Sequence, residues 1–394
     1  MNNNEMFDDE IRFSKFAEGI VGQSMFQVSD KAKELEKQGK ELIHFEIGDT
    51  YLEMPQEVKN TAITSINSGH THYGSSYGEQ SLRTAIQTSI IEDFSFKPDI
   101  SQIVVTSGAN PLIYYILSIL VNADEEVILA DPSFVTYNAV INMLKIKGVY
   151  IPVTHKNNFR LDPSLIEEKI TTKTRLIVIN SPSNPTGAVY SKEDLTKIFE
   201  IAEKYNLFIL SDEIYARLIY KGKHFSVGVL DECCKHVIMT NGFSKPFAMT
   251  GWRVGYAIGP EKIIQKIALL SQTIVSCVPP FLQDACVIAL KHRNRFSKIY
   301  LDEYRKLRDI ACEELGKFKQ FEFSKPEGAF YLMIDVSKTG MDGDEFTKHA
   351  MEKKGVVVCP GSGFGLGGKN YIRVCYANKS ERLIEGCRRL GRVT

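Results

Sequence analysis

The sequence predicts an α/β protein: a large domain with a seven-stranded, mostly parallel sheet sandwiched by helices, plus a smaller α+β domain. Two observations carry this expectation. From residue 102 to 258, short apolar runs alternate with helical patterns, as βαβ units require. Beyond Pro260 the pattern turns to long helices and then to a second group of strands and helices. A length of 394 residues accommodates two or three compact units.

Taken in order, residues 1–16 read as a polar arm with aromatic hooks at Phe7, Phe13 and Phe16, suited to packing across another surface or to disorder. A charged helix over 29–38 stops at Gly39, and 42–47 reads as a short strand before Gly48-Asp49. Helical patterns follow at 55–67 and 80–93. The seven sheet strands are expected at 103–106, 126–130, 149–153, 175–180, 207–211, 236–240 and 254–258, with helices at 110–121, 134–145 and 191–205. Helices at 261–274, 281–292 and 298–316 come next. Strands near 328–335, 356–358 and 371–376, and helices near 343–354 and 380–390, complete the chain. The division expected is an arm and the start of the small domain over 1–50, a large cofactor-binding domain over 51–295, and a small C-terminal domain over 296–394.

Composition narrows the partners. Lys and Arg balance Asp and Glu at 48 each, so no net field draws nucleic acid or an anionic membrane surface. The eight cysteines lack a CxxC pair, and Cys286, Cys359 and Cys375 sit in apolar runs; they read as buried thiols in a reducing cytosol. Residues 1–10 lack the pattern of a secretion signal, and the longest apolar run, 111–121, is too short to span a bilayer. A cytoplasmic protein acting on small molecules is the expectation.

In open α/β sheets, ligands bind beyond the carboxyl ends of the strands, and this edge collects distinctive groups. Thr106 runs into Ser107-Gly108-Ala109-Asn110, a small-residue turn opening a helix, where free backbone N–H groups favour a phosphate. Asp131-Pro132-Ser133-Phe134 sets an aromatic ring where a flat cofactor can stack. Ser183-Asn184-Pro185-Thr186-Gly187 presents the Asn184 amide from a rigid turn. Asp212, at a strand end, can hold a proton on a ring nitrogen, and Tyr215 can reach a phenolate oxygen of the same ring. Asn241-Gly242-Phe243-Ser244-Lys245 delivers a lysine, with Arg253 eight residues on to help lower its pKa. Each piece alone has an ordinary explanation as a cap, a core ring, a turn or a solvated lysine. Together they match pyridoxal phosphate part by part.

Over about residues 40 to 390 the chain resembles the class I and II aminotransferases, of the fold-type I family of pyridoxal-phosphate enzymes. The resemblance is carried by Asn184-Pro185-Thr186-Gly187, Asp212-Glu213-Ile214-Tyr215, Ser244-Lys245 with Gly251-Trp252-Arg253-Val254-Gly255, and Ile372-Arg373-Val374. It implies that Lys245 forms a Schiff base with pyridoxal 5′-phosphate, Asp212 pairs with the ring nitrogen, and Tyr215 and Asn184 bond the ring hydroxyl. Gly108, Ala109, Asn110, Ser244 and Arg253 would hold the phosphate, and Phe134 would stack on the ring. Arg373 would grip the substrate carboxylate and Gly48 would let backbone approach the substrate.

Tyr73 looks like the tyrosine that family members send to the partner's phosphate, which implies a homodimer with shared active sites. The implied activity is transfer of an amino group between an amino acid and an oxo acid. A same-fold decarboxylase of a small, phosphorylated amino acid, or a β-lyase, is the alternative. Gly242 departs from the family, where many relatives place a phosphate-binding serine. So do Asp49-Thr50-Tyr51-Leu52 and Gly22-Gln23-Ser24-Met25-Phe26, which leave the amino donor open.

Overall fold

The computed structural model describes residues 13–18, 20 and 22–393. The first twelve residues, including the proposed hook Phe7, lie outside the described residues, while Phe13 and Phe16 are exposed. The strands in chain order are β1 (Ile43–His44), β2 (Ile103–Thr106), β3 (Glu126–Asp131), β4 (Lys147–Pro152), β5 (Thr174–Asn180) and β6 (Phe208–Asp212). They continue as β7 (Val237–Gly242), β8 (Gly255–Ile258), β9 (Tyr331–Asp335), β10 (Val356–Val357), β11 (Cys359–Pro360) and β12 (Tyr371–Cys375).

Seven of them form the central sheet in the order β2-β8-β7-β6-β5-β3-β4. β8 alone runs against the common direction of the other six. Its direction follows from its connection: between β7 and β8 the regular structure is one 3₁₀ turn, Thr250–Trp252, and a parallel return needs a crossover, usually a helix. Successive residues of a strand face opposite sides. Val104, Val127, Leu129, Leu176, Val178, Leu210 and Ile238 share a core with the helices Asn110–Leu120, Val135–Met143 and Glu261–Ile274. Ile103, Val105, Ile128, Ile177, Ile179, Ile209 and Met239 face the other core. Both faces are covered, which is why these strands read as continuous apolar runs.

The smaller sheets use both ends of the chain. β1 pairs in parallel with β10, and β12 runs antiparallel between β11 and β9. Four expected boundaries shift. The strand at 42–47 shortens to Ile43–His44, because its partner β10 spans only two residues. The strand near 328–335 begins at Tyr331, because Ala329 adopts φ 56 and a Cβ on Gly328 would lie 2.6 Å from Pro182. The first long helix starts at Ser24 instead of residue 29, and the long helix at Arg293 instead of 298. The helix Pro163–Glu168, capped by Asp162, was not expected. Among the described residues no helix is long and apolar enough to cross a membrane.

Candidate active site

The carboxyl ends of the parallel strands open into a cavity of about 390 Å³. Gly48, Ala109, Asn110, Phe134, Asn184, Asp212, Tyr215, Ser244, Lys245, Arg253 and Arg373, all expected from the sequence, line it. Gly108 adjoins it, since a Cβ there would lie 2.5 Å from Arg253 Nη2. Tyr73 does not line it and is 89% exposed.

Lys245 stands three residues beyond the end of β7. Its Nζ donates to the Gly48 carbonyl at 2.6 Å and lies 5.5 Å from the Phe330 ring centroid. Burial lowers its pKa to about 8; the nearby Arg373 and Arg253 push the same way, against Cys375 and Asp49. A substantial share of this amine is therefore neutral near pH 8, as a nucleophile or base requires.

Asp212 ends β6 and is buried. Its Oδ2 accepts from the Tyr137 hydroxyl at 2.6 Å and its Oδ1 from the Ile214 N–H at 3.2 Å. Burial pushes its pKa up to about 6, those two donors restrain the rise, and Glu213 adds to it. The carboxylate is thus held by neutral groups, and a cation opposite it would be strongly favoured. The Tyr215 hydroxyl lies 2.7 Å from that of Tyr331, and burial followed by that neighbour raises its pKa well above the ordinary value.

Where Gly108 meets Arg253 the backbone is shaped for close approach. Gly108 has φ 91, Arg253 has φ 54 and ψ 55, and a Cβ on Gly255 would lie 2.4 Å from the Ala109 nitrogen. Arg253 Nη1 donates to the Thr250 carbonyl at 2.9 Å. The departure at Gly242 has a local cause: a Cβ there would sit 3.0 Å from the Val254 carbonyl oxygen and 3.1 Å from Gly255 Cα, its partner on β8.

Arg373, at the middle of β12, is fully buried between the rings of Tyr331 at 4.6 Å and Phe364 at 4.9 Å. It donates to Asn184 Oδ1 at 3.0 Å and to the Glu46 carbonyl, and its Nε has no partner. A buried guanidinium whose hydrogen bonds go to neutral acceptors is set to receive an anion, and its planar fork matches a carboxylate.

Three site residues escaped the sequence reading. Tyr137 lies three residues after Phe134 and reads as a core ring. Asn180 pairs in register with Asp212, accepts from the Asn184 N–H at 2.7 Å and donates to the Asp212 carbonyl at 3.1 Å. Tyr331 explains Gly48, because a Cβ at that glycine would lie 2.1 Å from its hydroxyl oxygen. The Asp212 register at the end of a parallel strand was the available signal for Asn180.

These groups suit a flat cofactor with an anionic end, a basic ring nitrogen and an electrophilic carbon: a tight cradle beside Arg253, a cation-seeking Asp212, and a partly neutral lysine. An amino acid held by its carboxylate at Arg373 would have its amine and Cα within the cavity that Lys245 enters. Such an arrangement defines an enzyme that works on the amino group of amino acids. Comparison with known proteins gives the family. Residues 40–390 match the family described as "Aminotransferase class I and II", and the chain belongs to it and is an aminotransferase of fold type I.

The chain is 35% identical to an aspartate aminotransferase of Pyrococcus horikoshii, over 89% of this chain and 90% of that one. It is also 35% identical to an aromatic-amino-acid aminotransferase of Thermococcus litoralis, over 89% and 91%. The solved aspartate aminotransferase of Thermus thermophilus with maleate superposes with a TM-score of 0.93 at 30% identity, covering 98% of this chain and all of that one.

Proposed function

We propose that the protein is a pyridoxal 5′-phosphate-dependent aminotransferase with Lys245 as its covalent anchor and catalytic base. Bound pyridoxal 5′-phosphate supplies an aldehyde that takes up an amino group and a ring that draws electrons from the Cα–H bond. The observation that carries the reading is that Lys245 and the buried Arg373 open on one cavity. Arg373 holds the α-carboxylate, helped by Asn184, and so fixes the orientation of Cα. Lys245 Nζ, its pKa lowered to about 8, accepts the Cα proton and would deliver it to the carbon that the cofactor's aldehyde supplies, not back to Cα. Asp212 keeps the proton on the ring nitrogen, with Tyr137 behind it. Tyr215 and Asn184 serve the ring hydroxyl, Phe134 its face, and Gly108, Ala109, Asn110, Ser244 and Arg253 the phosphate.

The relatives' names, aspartate aminotransferase in one and aromatic-amino-acid aminotransferase in another at equal identity, leave the choice between an acidic and an aromatic donor to the chemistry of the site, with an oxo acid as acceptor. The ion pair with Arg373 stabilises the carboxylate charge that loss of CO2 would remove, which argues against the decarboxylase alternative. Tyr73, exposed and outside the lining of its own cavity, supports a homodimer in which each subunit completes the other's phosphate site. The strand pairings β1–β10 and β11–β12–β9 support a small domain made from residues 1–50 and 296–394 around a large domain over 51–295. Eight free cysteines support a reducing, cytoplasmic compartment.

Borohydride reduction of the cofactor-loaded protein, followed by digestion, should place the adduct on Lys245, and Lys245→Ala should lose turnover. An adduct on another lysine rejects the assignment.

A further inference from the structure

We infer that the part of this site facing the substrate side chain takes an uncharged, predominantly apolar group, such as that of leucine, methionine or phenylalanine, and disfavours a second carboxylate. The inference rests on the reading of Lys245 and Arg373 given above. Among the described residues lining the cavity, the cations are Lys245, Arg253 and Arg373. Each is already committed: to the amine chemistry, to the cradle beside Gly108, and to the α-carboxylate.

Beyond its acceptors Asn184 and the Glu46 carbonyl, the surroundings of Arg373 on the cavity side are largely apolar. Phe364, 4.9 Å from its guanidinium, shares a buried cluster with Met25, and Ile47 packs against that cluster. Met25, Phe26 and Ile47 line the cavity directly. Ile47 immediately precedes Gly48, whose carbonyl receives the Lys245 hydrogen bond at 2.6 Å. A side chain leaving a Cα held between Lys245 and Arg373 therefore meets Ile47, Met25 and Phe26.

Gln23 is the polar exception on this wall; its amide is neutral and donates to Thr136 Oγ1 at 3.2 Å. The helix Ser24–Lys37 also begins here, and its first turn carries partial positive charge. That fractional charge is small beside the desolvation of a carboxylate against Met, Phe and Ile side chains. An apolar side chain gains on the same wall in proportion to the area it removes from water.

The test titrates the reconstituted holoenzyme with two unreactive carboxylates, 3-phenylpropanoate and succinate, by calorimetry. Single-turnover conversion by phenylalanine, leucine and methionine is compared in parallel with that by aspartate and glutamate. Phenylpropanoate is expected to bind at least about tenfold tighter, with the apolar amino acids ahead by a similar factor. Phe26→Ala, at a residue 55% exposed and tolerant of truncation, should narrow the ratio. Succinate binding as tightly or tighter, including through a cation supplied by a second subunit, overturns the inference, and so does a ratio that Phe26→Ala leaves unaltered. Arg373→Ala separates the two levels: it should weaken both carboxylates, and unchanged binding of both would instead reject the carboxylate site itself.

Discussion

Replacing Asp212 with asparagine should make the apo-protein more stable while destroying its activity. Its folded pKa of about 6, against an ordinary 3.8, means that folding places an ionised carboxylate where it is disfavoured. At 1.36 kcal/mol per unit, that rise costs the folded state about 3 kcal/mol once the group is ionised. For an acid whose pKa is raised by folding, the penalty is absent below the unfolded pKa, develops between the two values, and is complete above the folded one. Asparagine removes it. It also turns an amide nitrogen toward one of the two present donors, the Tyr137 hydroxyl or the Ile214 N–H, at a cost of about 1 kcal/mol or more.

The net gain for Asp212→Asn is therefore about 2 kcal/mol above pH 6, falling to nothing or to a small loss near pH 4. Urea unfolding of the two apo-proteins across this range measures it. In the holoenzyme the same substitution should lower kcat/KM by at least about 100-fold, because asparagine cannot hold the ring nitrogen protonated. A stability difference that stays constant from pH 4 to pH 8 would refute the argument, since only the titrating charge makes it vary.

Arg373→Lys keeps the charge but loses the planar fork and the packing between Tyr331 and Phe364, so kcat/KM for amino acids should fall by about 10- to 100-fold in steady-state assays; near-wild-type kinetics would remove Arg373 from substrate binding. Gly108→Ala places a methyl 2.5 Å from Arg253 Nη2 at a φ of 91, and fluorescence titration of the apo-protein should show at least about tenfold weaker cofactor affinity. Cofactor attachment to the apo-protein needs a neutral Lys245, so its rate should climb between pH 6 and 8 and level off above the pKa of about 8. A flat stopped-flow profile over that interval would show that another group controls the reaction.

Much of this architecture was legible because the central strands are buried on both faces. Runs such as Leu176–Ile179 carry no polar interruption, and small residues follow them at the ligand edge. The residues that hold the site chemically announced themselves in the same way: Asp212, Lys245 and Arg373 are charged groups adjoining or inside apolar strands. Tyr137 and Tyr331 were illegible for the opposite reason, since an aromatic residue on a core-facing helix or strand has the same signature whether its hydroxyl is idle or tied to Asp212 or Tyr215.

The wall of the cavity draws on stretches as far apart as Met25, Lys245 and Arg373, tied by the Lys245–Gly48 and Arg373–Asn184 hydrogen bonds. Such long-range closure is slow to form during folding. Until β12 docks, Lys245 lacks both Arg373 and part of the burial that lowers its pKa. A lesion that merely loosens β12 would therefore blunt the amine and the carboxylate grip together, since one strand serves both.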